Sequence, residues 1–244
     1  MITIDTQFNA DTLVLKGKLH LPDTPNPPLV VGSHGLEGTM NSAKQQVLAK
    51  ILPENGMAFF RFDHRGCGQS QGDFVKDTSL DLRTRDLAAA VDHLMGLGLT
   101  SNHLALFGSS IGGATCINSW ETLELMGRPP MGGVLCASPV KSQTIKNIPT
   151  QANGNRPALP MAFFEKNLLF DILGKAKHLH HVMIFHGDKD EIVPISNAQD
   201  LFNTMQSPKE RIIHKNGTHQ MTHPSDQADF EVRALAWYQQ IFSL

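Results

Sequence analysis

The spacing of apolar positions changes character several times along the chain. Residues 2–7 and 13–21 alternate apolar with polar side chains, which predicts an antiparallel pair at a sheet edge, each strand with one face covered. Later runs are apolar at successive positions. Residues 29–31, 57–62, 104–107, 133–137 and 182–185 have the composition of parallel strands covered on both faces, and 211–214 predicts a shorter last strand. Helical spacing fills the gaps over 42–52, 80–97, 111–126, 197–205 and 225–241, with Asp81 and Ser225-Asp226 after Pro224 as helix starts. Strand and helix signals in alternation predict an α/β fold, a mostly parallel sheet of about eight strands with helices on both faces.

One segment breaks that rhythm. Residues 138–180 carry no clear strand pattern: a polar stretch with several Pro and Gly precedes an amphipathic piece, 161–173, that contains Phe163, Phe164, Leu168, Leu169 and Phe170. So long a connection inside a compact unit is unusual unless it serves a function. It predicts a small cap over the carboxyl edge of the sheet, with Phe163 and Phe164 as the residues expected to line a substrate pocket. The plainer alternative is a crossover helix with a wandering loop. No linker or repeat divides the rest, so residues 1–244 are expected to form a single domain with this insertion.

Charge narrows the partners. With 21 Lys and Arg against 23 Asp and Glu, the formal net charge is -2, which leaves no electrostatic footprint for nucleic acid or an anionic membrane. A small, weakly charged ligand is expected. Residues 1–9 lack a basic stretch followed by an apolar core, and no membrane-length apolar run follows, so a cytoplasmic location is expected. Cys67, Cys116 and Cys136 are odd in number and lack metal-type spacing, and they read as reduced packing residues.

The chemistry centres on Gly108-Ser109-Ser110-Ile111-Gly112, which lies between an apolar run and a helical pattern. A serine on a strained strand-to-helix turn needs small residues two positions before and after it, so that neighbouring backbone packs close. Centred on Ser110 those positions are Gly108 and Gly112; centred on Ser109 they are Phe107 and Ile111. Ser110 is therefore the candidate nucleophile. Two later segments, each just after an expected strand, have the form of partners: the carboxylate-rich turn from His186 to Pro194, and Asn216-Gly217-Thr218-His219-Gln220. Loops at the carboxyl ends of parallel strands share one edge, so these groups can meet there. A serine hydroxyl needs an imidazole to take its proton and a carboxylate to hold that imidazole.

In this order of Ser, Asp and His the chain resembles the α/β-hydrolase family. Besides the elbow, the resemblance rests on Ser33-His34-Gly35-Leu36-Glu37-Gly38, on Asp63-His64-Arg65-Gly66-Cys67-Gly68-Gln69-Ser70-Gln71-Gly72, and on the His-Gly-x-x-Asp-x-x-Val-Pro turn ending at Pro194. The spacing is most similar to small bacterial cinnamoyl (feruloyl) esterases, and more distantly to dienelactone hydrolases and prolyl-oligopeptidase-type peptidases. The resemblance implies Asp190 as the triad acid, with Asp188 as its competitor, and His219 as the base. It also implies backbone N–H groups of Leu36 and Ile111 as the oxyanion hole. A carboxylic esterase of a small-molecule substrate, needing no cofactor or metal, is the expectation. A peptidase or amidase is the nearest rival, and a catalytically silent binding protein the rival from another class.

Other residues invite chemistry and have plainer readings. Asp63-His64 belongs to a turn that is structural in the family, His34 reads as a hydrogen-bonder that positions its loop, and His214 and His223 as packing or capping residues. His178, His180 and His181, with Asp188 and Asp190 nearby, suggest a metal site, but they straddle a strand start where alternate residues face opposite ways. Ser109 stands where many cinnamoyl esterases have His, and the cap is not recognisably theirs, so the resemblance does not extend to the substrate.

Overall fold

A computed structural model describes residues 1–148, 150–152 and 158–243. Part of the expected cap, residues 149 and 153–157, lies outside the described residues. Eight strands form one sheet: β1 (Ile2–Ala10), β2 (Leu13–Leu21), β3 (Leu29–Ser33), β4 (Ala58–Phe62), β5 (Leu104–Ser109), β6 (Pro130–Cys136), β7 (Val182–Gly187) and β8 (Lys209–His214). Their order is β1-β2-β4-β3-β5-β6-β7-β8. β1 pairs antiparallel with β2, and β2 with β4; every later pair is parallel.

The helices are α1 (Ala43–Glu54), α2 (Phe74–Asp77), α3 (Leu80–Leu97), α4 (Ile111–Leu125), α5 (Met161–Asn167), α6 (Ser196–Thr204) and α7 (Pro224–Phe242). They cover both faces of the sheet, which is why the central strands read as unbroken apolar runs. Along β5, Leu104 and Leu106 join one core beneath α3 and α4, while Ala105 and Phe107 join a second beneath α1 and α7. This is the two-residue alternation of a strand acting between two buried layers.

Differences from the expected elements have local causes. β6 starts earlier than expected, at Pro130, a strand-end position where the missing N–H costs little. It stops before Ala137, whose φ of 48° takes the backbone out of the strand. α3 starts from Ser79, whose hydroxyl accepts from Leu82 N at 3.1 Å, so Asp81 lies in the first turn and favours the helix through its charge rather than as a cap. The α2 turn, absent from the sequence pattern, is nucleated by Asp73, which accepts from the N–H groups of Val75 and Lys76 at 3.0 Å.

The described residues of the 138–180 segment fall into two layers. Its base is core: Val140, Leu159, Leu168, Ile172, Ala176 and Leu179 are buried against the α3–α4 side. Above them a Lys141–Asp171 bridge and the short helix α5 roof the carboxyl ends of the strands. No helix among the described residues is long and apolar enough to cross a membrane.

Candidate active site

Ser110 sits between β5 and α4 with φ 55° and ψ -126°, a strained conformation for a residue with a side chain. The flanking glycines make this turn possible by admitting backbone. A Cβ on Gly108 would lie 2.5 Å from Gly112 O, and one on Gly112 would lie 2.1 Å from Ser33 O. The turn pins α4 against the end of β3 and lifts the Ser110 hydroxyl above the sheet edge.

His219, from the loop after β8, brings Nε2 to 3.0 Å from Ser110 Oγ. Its other nitrogen, Nδ1, lies 2.8 Å from Asp190 Oδ2. Asp190, on the loop after β7, also accepts the N–H groups of Ile192 at 2.9 Å and Val193 at 2.8 Å through Oδ1. Burial alone pushes its pKa up. The hydrogen bonds from His186 and His219, the His219 charge and the Val193 N–H outweigh that and hold it well below the usual carboxylate range. Asp188 is not part of this set; its carboxylate accepts Asn216 N at 2.6 Å and ties the β7 and β8 loops together.

His186 is a member of the site to which the sequence reading gave no role. Its ring is fully buried, with Nε2 2.9 Å from Val193 O and 3.3 Å from Asp190 Oδ2. Both neighbours are acceptors, so Nε2 carries the proton, and it is directed at the same Asp190 oxygen that faces His219 Nδ1.

The Leu36 N–H is aimed by a buried network. His34 Nε2 accepts from His64 N at 3.1 Å, so its proton is on Nδ1, which donates to Gly35 O at 2.7 Å. Gly38 N also donates to Gly35 O, at 3.2 Å, and Arg83 donates to His34 O. In a planar trans peptide the C=O and N–H point in opposite directions. Holding Gly35 O inward therefore turns the Leu36 N–H toward the cavity. His64, kept neutral by burial and by Arg83 and Arg65, has Nε2 2.8 Å from Ser33 Oγ and Nδ1 3.2 Å from Asp86, which also accepts Arg65 Nε at 2.7 Å. Ile111, the first residue of α4, has like Leu36 no hydrogen-bond acceptor for its N–H among the described residues. Arg83 and Asp86 had a signal in the sequence: both fall on the same helical stripe as Leu80, Leu87, Val91 and Leu94, where a charge has to be satisfied internally.

These groups open onto a cavity of about 860 Å³. One side of it is apolar, with Ile148, Met161, Phe164 and Leu168 from the 138–180 segment and Ile192 and Val193 from the loop after β7 among the lining. Phe163 corrects the sequence expectation: only Phe164 of the two lines the cavity. Phe163 is 4% exposed, belongs to the core and stacks on Phe74 with ring centroids 6.2 Å apart. Adjacent helical residues point about 100° apart, so one inward ring turns the other to the wall. Phe163→Ala is expected to cost about 3–5 kcal/mol of stability. Phe164→Ala is expected to melt near the wild type while shifting the acyl length preferred, which denaturant melts and a graded ester series will distinguish.

The remaining candidates fall elsewhere. Asp63 accepts Met40 N and Gln69 N and is a turn brace. His214 pairs with Asp229 at 3.0 Å, and His223 caps α7. His180 and His181 face one another, Nδ1 to Nδ1 at 3.0 Å, away from Asp190, and among the described residues no three His, Cys, Asp or Glu side chains are grouped to hold a metal. Cys67, Cys116 and Cys136 are free and buried.

A mostly parallel eight-stranded sheet, with Ser110 on the turn after β5 hydrogen-bonded to His219 after β8 and His219 in turn to Asp190 after β7, has the architecture of an α/β hydrolase. Residues 24–154, more than half of the chain, match the family model described as Serine aminopeptidase, S33, and the chain belongs to that family. It is 24% identical over 194 residues to an uncharacterized protein, YfhR of Salmonella typhimurium, across 78% of this chain. This chain covers 63% of that protein, less than two thirds of its length. It is 26% identical over 219 residues to the mitochondrial palmitoyl-protein thioesterase ABHD10 of Mus musculus, across 82% of this chain and 71% of that protein. Among solved structures, Est1E of Butyrivibrio proteoclasticus with ferulic acid bound superposes with a TM-score of 0.82 at 19% identity, across 98% of this chain and 100% of that one, a likeness of fold.

Proposed function

We propose that this protein is a serine hydrolase that cleaves carboxylic esters or thioesters of an apolar acyl group through an acyl-enzyme. The observation that carries the reading is the continuous hydrogen-bond chain from Asp190 through His219 to Ser110, at the floor of a cavity with an apolar wall. His219 Nε2 takes the Ser110 proton as Oγ attacks the carbonyl carbon, and the alkoxide that forms is held by the N–H groups of Leu36 and Ile111. His219 then gives that proton to the departing oxygen or sulfur, leaving the acyl group on Ser110. Water, activated in turn by His219, releases the acid and restores the serine. Asp190 holds the tautomer throughout, and the sequence needs no metal or cofactor. In this reading residues 138–180 act as the cap of a single-domain enzyme, and the reduced, buried cysteines fit a cytoplasmic setting.

The family description favours a second reading, a peptidase, in which the same groups expel an amine. A panel of 4-nitrophenyl esters of graded acyl length, acyl thioesters and aminoacyl anilides separates the two. Turnover of esters and thioesters, rising with acyl length, with silent anilides, is the expected result. Faster turnover of anilides than esters would establish the peptidase, and no turnover of any would favour a binding protein on this scaffold.

A further inference from the structure

The cavity wall opposite the cap is built differently. It is formed by the approach to and start of α1, the His219 loop and the first turn of α7, with Thr39, Ser42, Lys44, Gln220, Thr222 and Gln227 among its lining. Lys44 is the unusual member. Its side chain is buried, with the residue 8% exposed. Its ammonium donates to Gln220 O at 2.7 Å and lies 5.7 Å from the centroid of the Phe230 ring. Among the described residues no carboxylate comes within 4 Å of it, and Gln220 O is its one hydrogen-bond acceptor. Burial lowers its pKa, with Cys136 and Asp226 opposing the drop. A buried ammonium is ordinarily paired, because removal from water costs several kcal/mol that a single carbonyl does not return.

The backbone around it repeats the deficit. Ser42, the residue before α1, makes no side-chain capping bond, and the first turn holds no acidic residue. The N–H groups of Ala43, Lys44 and Gln45 have no backbone acceptor among the described residues. The positive end of a 12-residue helix therefore adds to the Lys44 charge on the same wall. The acidic lining residues Glu37 and Glu165 are both exposed.

Position decides which part of a substrate meets this wall. Lys44 is bonded to the residue next to His219, and His219 is the group that protonates the leaving atom, so the leaving group departs on this side while the acyl group lies under the cap. We propose that Lys44 and the α1 N-terminus form a subsite for a carboxylate carried by the leaving alcohol or thiol, so that the preferred substrates are acyl esters or thioesters of hydroxy or mercapto acids. One ammonium matches one carboxylate charge; a phosphate dianion would leave a charge unmatched beside an apolar wall. The subsite rests on the ester-hydrolase reading and adds the chemistry of the leaving group to it.

The test uses a matched pair, the octanoyl esters of 4-hydroxybenzoate and of its neutral isostere 4-hydroxybenzamide, each rate corrected for uncatalysed hydrolysis. The wild type is expected to favour the carboxylate ester in kcat/KM by roughly 10- to 100-fold, the worth of one hydrogen bond to a charged group. Lys44→Gln should bring that ratio to about one and Lys44→Arg should keep it. The ratio carries the test because Lys44 also holds Gln220 O beside His219, so its loss lowers both rates. A wild-type ratio near one, or a ratio that survives in Lys44→Gln, overturns the subsite while leaving the hydrolase standing. No turnover of any ester, thioester or anilide overturns both. Should Lys44→Gln fail to fold, the wild-type ratio, and stronger inhibition by 4-hydroxybenzoate than by 4-hydroxybenzamide, decide the question.

Discussion

Ser110→Ala is expected to lower kcat for a good ester on the order of 10⁶-fold, the loss that follows when a triad nucleophile is removed, while leaving the melting temperature close to wild type. The hydroxyl's hydrogen bond is to His219, and the turn is set by Gly108, Gly112 and the Ser110 N–H bond to Cys136 O at 2.8 Å, all of which survive the substitution. A fluorophosphonate probe, which reacts only with an activated serine, should label the wild type and Ser109→Ala but not Ser110→Ala. Loss of labelling in a folded Ser109→Ala, with labelling kept in Ser110→Ala, would move the nucleophile one residue back and overturn the reading of the two glycines.

What could be read from the chain beforehand was whatever a single element decides for itself. Residues 104–107 announce a buried strand because both faces of β5 are covered, and the choice of Ser110 over Ser109 follows from steric limits on one tight turn. Phe163 and Phe164 were indistinguishable because α5 is short and its rotation is set by Phe74, from a distant part of the chain. The same holds for polar groups that work through neighbours. Arg83 and Asp86 carry a faint signal as charges on an apolar stripe, yet their role in aiming the Leu36 N–H needs the loop after β3 and the turn at His64 to be in place. Lys44 had no sequence signal at all, since a lysine in the first turn of a helix is ordinarily solvated; its burial comes from α7 and the His219 loop closing over it.

Asp190→Asn is expected to slow ester turnover roughly 10⁴-fold, against a few-fold for Asp188→Asn, and the cause is the direction of one proton. Asp190 Oδ1 accepts two backbone N–H groups, so an Asn must put its oxygen there and turn its NH₂ toward His219 Nδ1. His219 then has to accept at Nδ1 and carry its proton on Nε2, facing Ser110, where it can no longer take the serine proton. Asp188 receives one N–H, from Asn216, and an Asn oxygen replaces it without loss. Stability should separate the two as well. The Asp190 carboxyl is held below its unfolded value of about 4, so its contribution is fully present above that pH and is lost as pH falls through the lower folded value. Urea unfolding should therefore show a gap between wild type and Asp190→Asn that is full at pH 7 and closes in acid below about pH 4. Equal activities for the two Asn variants would instead remove Asp190 from the triad.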